Sequence, residues 1–206
     1  MSNVTRCWWI RHAPVVDNGG LVYGQSDIAA DLSDRAPYQS LARFLPAGAV
    51  WVASHLQRTH QTAGAIGDAG LDVPELIVEP DLAEQDLGDW QGQPRDEVFA
   101  RYGEWHKLWV APATTAAPGG ESFADLIDRM VPAVERLVRD HRGRDIVIVA
   151  HGGTIRAALA HALGLAPATA LAFTIDNLSL TRLDYIKPAN REQGVWRVVS
   201  VNRIPG

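Results

Sequence analysis

The sequence predicts a three-layer α/β fold, a mostly parallel central sheet with helices on both faces and a small helical lid, and three observations carry that prediction. Short apolar runs at Cys7–Ile10, Val50–Ala53 and Ile146–Ala150 have the length and bulk of buried strands. Each run stops at a polar residue, and behind the second and third a helix start follows at once. The chain has 206 residues, 47% hydrophobic and 21% charged, an average composition that one substantial core accommodates. It therefore reads as a single domain over residues 1–206, with residues 82–120 as a lid-like insertion.

The first strand ends in Arg11-His12-Ala13-Pro14, where Pro14 pushes Ala13 towards an extended or turn conformation. A long glycine-rich and polar loop follows, including Asp17-Asn18-Gly19-Gly20 and Tyr23-Gly24-Gln25-Ser26-Asp27. Ser33 is the expected N-cap of a helix through Leu41, Phe44 and Leu45 that closes at Pro46 and Gly48. The second strand gives way to the polar segment Ser54–Ala63, which opens a helix running towards Gly70. Leu76-Ile77-Val78 is a third strand, followed by Leu82–Gly92, where acidic and apolar side chains alternate as in a loop folded back on the body. A short helix containing Val98, Phe99 and Tyr102 and the aromatic cluster Trp105, His106 and Trp109 make up the rest of the lid. The run from Ala111 to Gly120 reads as a linker.

From Glu121 to His141 apolar residues recur at helical spacing, with Pro132 expected to kink or reset the helix and Gly143 to close it. Ile146–Ala150 is the strongest strand signal, continuous enough for a central strand covered on both faces. It ends in His151-Gly152-Gly153-Thr154 ahead of a helix to Leu163, with Thr154 the expected N-cap. Leu171–Ile175, Leu178–Tyr185 and Val195–Val201 read as further strands nearer the sheet edge.

The net charge of −5 argues against nucleic acid or an anionic membrane as main partner, while leaving room for a local basic pocket. Cys7 is the lone cysteine and sits in an apolar strand, which reads as a buried structural thiol in a reducing compartment. The apolar run after Arg6 is too short for a signal peptide or a membrane span, so the expected location is the cytoplasm. The only lysines are Lys107 and Lys187, and no glycine-rich loop is followed by lysine, which excludes a P-loop.

The chemistry concentrates at strand ends. Taken singly, Arg11 and Arg58 read as ordinary solvated residues. If the strands are parallel, however, Arg11, His12, Arg58 and His151 meet at one sheet edge, where ligands bind in open α/β sheets, and the loop bearing Glu84 reaches them. Two guanidiniums grip a phosphoryl group in bidentate fashion. A neutral imidazole in that field is a competent nucleophile towards phosphorus, and a carboxylic acid protonates the leaving oxygen. This scheme requires no metal and no cofactor.

These residues resemble the histidine phosphatase superfamily, the phosphoglycerate-mutase-like group. The resemblance rests on Arg11-His12-Ala13, on Ser54–Ala63 around Arg58, and on the acidic segment Glu84–Gly92. Pro118-Gly119-Gly120-Glu121-Ser122 and Ala150-His151-Gly152-Gly153-Thr154-Ile155-Arg156 complete it, in the family's order. It implies that His12 forms a covalent phosphohistidine, that Arg11, Arg58 and His151 bind the phosphoryl group, and that Glu84 is general acid and then base. Asn18 and the Gly152 N–H would add phosphate contacts, with Tyr23 and Gly24 lining the substrate side. Ala13 stands where the family has glycine, and Val15 replaces a threonine or serine, removing one hydroxyl donor. The loop Gly24–Ser33 reads Ile28-Ala29-Ala30-Asp31-Leu32 where a shorter Pro-Leu version is usual.

Leu87 in place of the mutases' tyrosine, and only about thirty residues between the acidic motif and Pro118, favour a phosphatase. The expected activity is hydrolysis of a small phosphorylated metabolite without a metal. The alternatives are a phosphoglycerate-mutase-type phosphotransferase and a catalytically weak phosphate-ligand binder, the latter motivated by Ala13 and Val15. A metal-dependent hydrolase is disfavoured by the scatter of the seven histidines.

Overall fold

At the centre of the sheet lies β4 (Asp145–Ala150), the longest uninterrupted β-branched run in the chain, with Ile146 through Ala150 all buried. The computed structural model describes residues 3–101, 111–188, 191 and 193–205. On one side β4 pairs in parallel with β1 (Val4–Arg11), Arg11 facing Ala150, and on the other with β2 (Val50–Ala53), Ala53 facing Val149. A two-residue β3 (Ile77–Val78) extends the parallel half beyond β2. Beyond β1 the sheet changes direction, with β5 (Leu180–Ile186) antiparallel to β1 and β6 (Val195–Arg203) antiparallel to β5. The order is β3-β2-β4-β1-β5-β6. The sheet is mixed, its parallel half being the one that carries the three apolar strands read from the sequence.

The period-two geometry of a strand sorts their side chains into two cores. Cys7, Trp9, Val50, Val52, Ile146 and Ile148 face one layer, packing with Phe123, Leu126 and Met130 of α4 (Phe123–Asp140) and with Leu159 of α5 (Gly152–Leu163). Trp8, Ile10, Trp51, Val147 and Val149 face the other, against Tyr38 and Leu41 of α1 (Ala36–Phe44) and Ala63 and Ile66 of α2 (Gln57–Asp68). Helices thus cover both faces. No helix among the described residues is long and apolar enough to cross a membrane.

Several local expectations are corrected. Ser33 does not cap α1, whose N-cap is Arg35; the Asp34 carboxylate accepts from Ala36 N–H instead, and Ser33 N–H is turned onto Asp31. Helix α4 runs unbroken through Pro132, which lies on the exposed face, where water can take the carbonyl that proline leaves unpaired. It starts in a reciprocal capping box between Ser122 and Asp125. Leu171–Ile175 is not a strand: after the short α6 (Pro167–Ala170) it forms a turn, because β5 already occupies the free side of β1. The antiparallel position of β5 and the edge position of β6 agree with the weaker, alternating apolar pattern of those segments.

The segment between β3 and α4 holds a short α3 (Arg95–Ala100), two 3-10 turns at Pro80–Leu82 and Gly88–Trp90, and a small apolar cluster of its own. That cluster joins Val22, Leu87, Trp90, Val98, Ala111 and Ala117. The Ala111–Gly120 run is therefore not a free linker; its buried alanines pack, and Ala113 O accepts from Ala124 N–H at the start of α4. Gly88 sits at φ +40° with Pro118 O only 2.2 Å from where a Cβ would stand, so only glycine lets these two loops touch. Tyr102, Trp105, His106 and Trp109 lie outside the described residues.

Because both layers close on β4, truncation there is costly. Ile148→Ala, at a site 1% exposed, is expected to lower stability by about 3 kcal/mol, read as a lower urea midpoint at unchanged slope.

Candidate active site

Three parallel strands that lie side by side end at one edge, so the residues just beyond β1, β4 and β2 come together as the sequence predicted. His12 follows β1 and is still locked to the sheet, its N–H donating to Ala150 O at 2.9 Å. Its carbonyl accepts from Asn177 Nδ2 at 2.8 Å, and Ala13 N–H donates to Thr62 Oγ1 of α2 at 2.9 Å. The imidazole is 1% exposed. Its Nδ1–H donates to Ala13 O at 2.6 Å, and since a carbonyl can only accept, Nε2 carries the free electron pair. The ring centroid of His151, which follows β4, is 5.1 Å away.

Two guanidiniums flank this pair. Arg58, in the first turn of α2, is fully buried, with Nη1 donating to Ser26 O at 2.8 Å and Nη2 to Gly24 O at 2.7 Å. Tyr23 lies beneath it, its ring centroid 5.3 Å from the guanidinium carbon. Arg11 Nη1 donates to Ile175 O at 2.6 Å. The groups holding both arginines are neutral carbonyls, and among the described residues neither forms an ion pair. The positive charge is thus fixed in place but not neutralised.

Three buried nitrogens here, Arg11 Nε, Arg58 Nε and His151 Nδ1, have no hydrogen-bond partner, out of five such side-chain atoms among the described residues. Buried polar atoms normally find partners, so a cluster of unmet nitrogens, two of them guanidinium donors, is a receptor for an anion. The same field acts on the imidazoles. Burial first, then Arg58 and Arg11, hold His12 well below the ordinary imidazole range. Burial, Arg58 and His12 do the same to His151. Both rings are neutral at physiological pH.

Glu84 approaches from the loop after β3. Gly153 N–H at the start of α5 donates to its carboxylate at 3.1 and 3.2 Å, and Gln85 N–H at 3.0 Å. The segment beneath it is gripped from the core: Arg129 of α4 donates to the carbonyls of Asp81, Ala83 and Glu84 while paired at 2.6 Å with Glu121. Glu121 in turn accepts from Asp86 N–H at 3.0 Å. Gln25 Nε2 ties Glu84 O to the Tyr23–Asp27 loop at 2.9 Å.

The structure therefore brings Arg11, His12, Arg58, His151 and Glu84 together, with Tyr23 and Gly24 holding Arg58. Gly152 packs on the arginines; a Cβ there would stand 3.2 Å from Arg156 Nη1 and 3.5 Å from Arg11 Nε, and as first residue of α5 its N–H has no partner within the helix. Asn18 is not drawn in: its amide donates to Leu21 O at 2.9 Å within its own loop. Val15 makes a backbone bridge with Ala30. The expected N-cap Thr154 is instead the third residue of α5, its hydroxyl donating to Leu82 O and Ala83 O, and His151 is the N-cap.

Sequence reasoning missed Arg156, Asn177, Ser54 and Arg129. Arg156 lies one helical turn beyond Gly152, a spacing that signals its reach back to the site; its Nε donates to Phe173 O, and burial lowers its pKa to about 10. The other three act through carbonyls or a ring nitrogen, for which residue type gives no signal.

The chain matches the sequence profile of the histidine phosphatase superfamily (branch 1) over residues 7–202. It is 37% identical over 176 residues to a glucosyl-3-phosphoglycerate phosphatase of Mycolicibacterium vanbaalenii, covering 79% of this chain and 76% of that one. It is 32% identical over 165 residues to a metal-independent phosphoserine phosphatase of Arabidopsis thaliana, covering 76% and 68%. The native structure of a mycobacterial glucosyl-3-phosphoglycerate phosphatase superposes with a TM-score of 0.78 at 30% identity, over 97% of this chain and 99% of that one. With the profile spanning nearly the whole chain and the fold shared end to end, the chain belongs to the histidine phosphatase superfamily.

Proposed function

We propose that this chain is a metal-independent phosphomonoesterase that hydrolyses a small phosphorylated metabolite through a phosphohistidine on His12. The observation that carries the reading is the conjunction at His12: a neutral, buried imidazole with its Nε2 electron pair free, beside guanidinium and imidazole nitrogens that lack partners. In this reading the phosphoryl oxygens accept from Arg11, Arg58, His151 and Gly152 N–H, which spreads the equatorial charge of the transition state. His12 Nε2 attacks phosphorus in line, the bond to the ester oxygen breaks, and Glu84, entering as the acid, protonates that oxygen. Glu84, now a carboxylate, takes a proton from water, which attacks the phosphohistidine and releases orthophosphate. Asn18 has no part in the scheme while its amide is held by Leu21 O. Residues 82–120 act as the cover that receives the leaving group.

The partners are small phosphate esters rather than nucleic acid or membrane, and the compartment is the cytoplasm, where Cys7 stays reduced. Its thiol is buried and pushed up to about 12, mainly by that burial, so it takes no part in chemistry. The named relatives set the first substrates to try: glucosyl-3-phosphoglycerate and phosphoserine, beside sugar phosphates, nucleotides and α-ribazole phosphate.

Wild-type protein incubated with a hydrolysed substrate bearing labelled phosphate and then quenched is expected to retain acid-labile, base-stable label. His12→Ala should lose both label and turnover, the latter by about 10⁴-fold or more. EDTA dialysis should leave the rate unchanged; chelator sensitivity, or normal turnover by His12→Ala, overturns the reading. Ligand-induced stabilisation by phosphate esters with hydrolysis of none would identify a binder instead.

A second expectation concerns pH. The native state keeps His12 and His151 neutral where the unfolded chain, with a pKa near 6.5, binds protons. Stability is therefore full well above pH 6.5 and falls progressively as the pH drops through and below it. Urea unfolding of the ligand-free protein between about pH 7 and 5.5 measures this, and a flat profile would contradict neutral, buried rings.

A further inference from the structure

Ser54 closes β2 and is fully buried, with its Oγ 2.8 Å from His151 Nε2. That contact can be made in two ways: the hydroxyl donates to a bare Nε2, or a protonated Nε2 donates to the hydroxyl. The neighbouring bonds narrow the choice. Thr59 commits its own hydroxyl proton to Leu56 O at 2.8 Å, and Leu56 N–H donates to Ser54 Oγ at 3.3 Å. The single proton of Ser54 therefore goes either to His151 Nε2 at 2.8 Å or to Thr59 Oγ1 at 3.3 Å. The first distance is that of a well-formed hydroxyl bond and the second is beyond it.

The other ring nitrogen points to the same answer. His151 Nδ1 is buried without a partner, in a ring 5.1 Å from that of His12. A bare Nδ1 would set an electron pair against an incoming phosphoryl oxygen, whereas a protonated one supplies the donor that oxygen needs.

We propose that Ser54 fixes the tautomer of His151, giving its hydroxyl proton to Nε2 so that Nδ1 bears the hydrogen and meets the phosphoryl group as a neutral donor. Ser54 is then a positioning residue that acts through His151. The assignment rests on the reading above, in which a phosphoryl group occupies this site. It differs from an imidazolium contact: the ring contributes direction without adding a further positive charge to those of Arg11, Arg58 and Arg156.

The test is spectroscopic. In histidine-¹⁵N-labelled protein saturated with orthophosphate, long-range ¹H–¹⁵N spectra distinguish protonated from bare ring nitrogens, with His151 assigned by its loss in His151→Asn. The expected wild-type pattern is a protonated Nδ1 and a bare Nε2. Ser54→Ala should shift His151 towards the Nε2–H tautomer and weaken both kcat/KM and inhibition by orthophosphate, each roughly 10- to 100-fold, as when an orienting partner is removed. Ser54→Thr, which keeps the hydroxyl, should restore the tautomer and most of the activity. A protonated Nε2 in the wild type overturns the proposal, as does Ser54→Ala with tautomer and turnover unchanged. The wild-type spectrum, assigned with His151→Asn, decides even if neither Ser54 variant folds. The Nδ1–H tautomer in a protein that hydrolyses no phosphomonoester would refute the proposed function and support the Ser54 assignment. Normal turnover with the Nε2–H tautomer would refute the Ser54 assignment alone.

Discussion

Everything at this site depends on keeping positive charge buried and uncancelled. A fully enclosed guanidinium such as that of Arg58 loses its hydration and is normally paired with a carboxylate. Here the carbonyls of Gly24 and Ser26 take up two of its hydrogens without forming an ion pair, and Ile175 O takes up one of Arg11. The desolvation cost is met by dipoles, and the charge stays available to a ligand. Burial first and then Arg58 keep both imidazoles neutral, so the unpaired guanidinium reinforces what enclosure begins. The presence of unmatched N–H groups follows from the same arrangement, because the carbonyls are placed to meet some guanidinium donors and leave Nε of each arginine open.

Such dipoles must come from backbone that is not already paired in a ladder, which explains the irregular segments around the site. The Tyr23–Asp27 loop spends two carbonyls on Arg58 and is held by Gln57, whose N–H and side chain both bond Asp27. The turn after α6 gives Phe173 O to Arg156 and Ile175 O to Arg11, while its Asn177 takes the carbonyl of His12. That turn is anchored at the far side by a reciprocal amide bond between Asn202 of β6 and Asp176. The antiparallel edge of the sheet, whose last strand ends level with β1, thus helps to fix the orientation of the arginine beside His12.

The parts legible in the sequence were those written in residue type and periodicity. The three apolar runs gave the parallel strands, and the abrupt Arg11-His12, Ser54–Arg58 and His151 that follow them gave the convergence. Leu171–Ile175 misled because an apolar run signals burial, not hydrogen-bonding partner; Leu171 and Ile175 are buried, but the carbonyls of Phe173 and Ile175 serve side chains instead of a neighbouring strand. Ser33 and Thr154 misled for a related reason. A hydroxyl residue near a helix start resembles a cap, yet Thr154 is turned to the carbonyls of the Glu84 loop and the helix start is met by Glu84 itself. The contribution of Arg129 was invisible because three of its partners are backbone oxygens separated from it by more than forty positions.

The grip of Arg129 and Glu121 on the Glu84 segment has a consequence for how such a protein can diversify. The carboxylate is mounted on the core, through α4 and the first turn of α5, and not on the described residues 92–101 that follow. Changes in that part of the chain therefore leave untouched the hydrogen bonds that mount Glu84 and the carbonyls that hold the charge beside His12. The mounting of Glu84 and the sequence that follows it are thus separable pieces of one connection, and a lineage can keep the first while the second drifts.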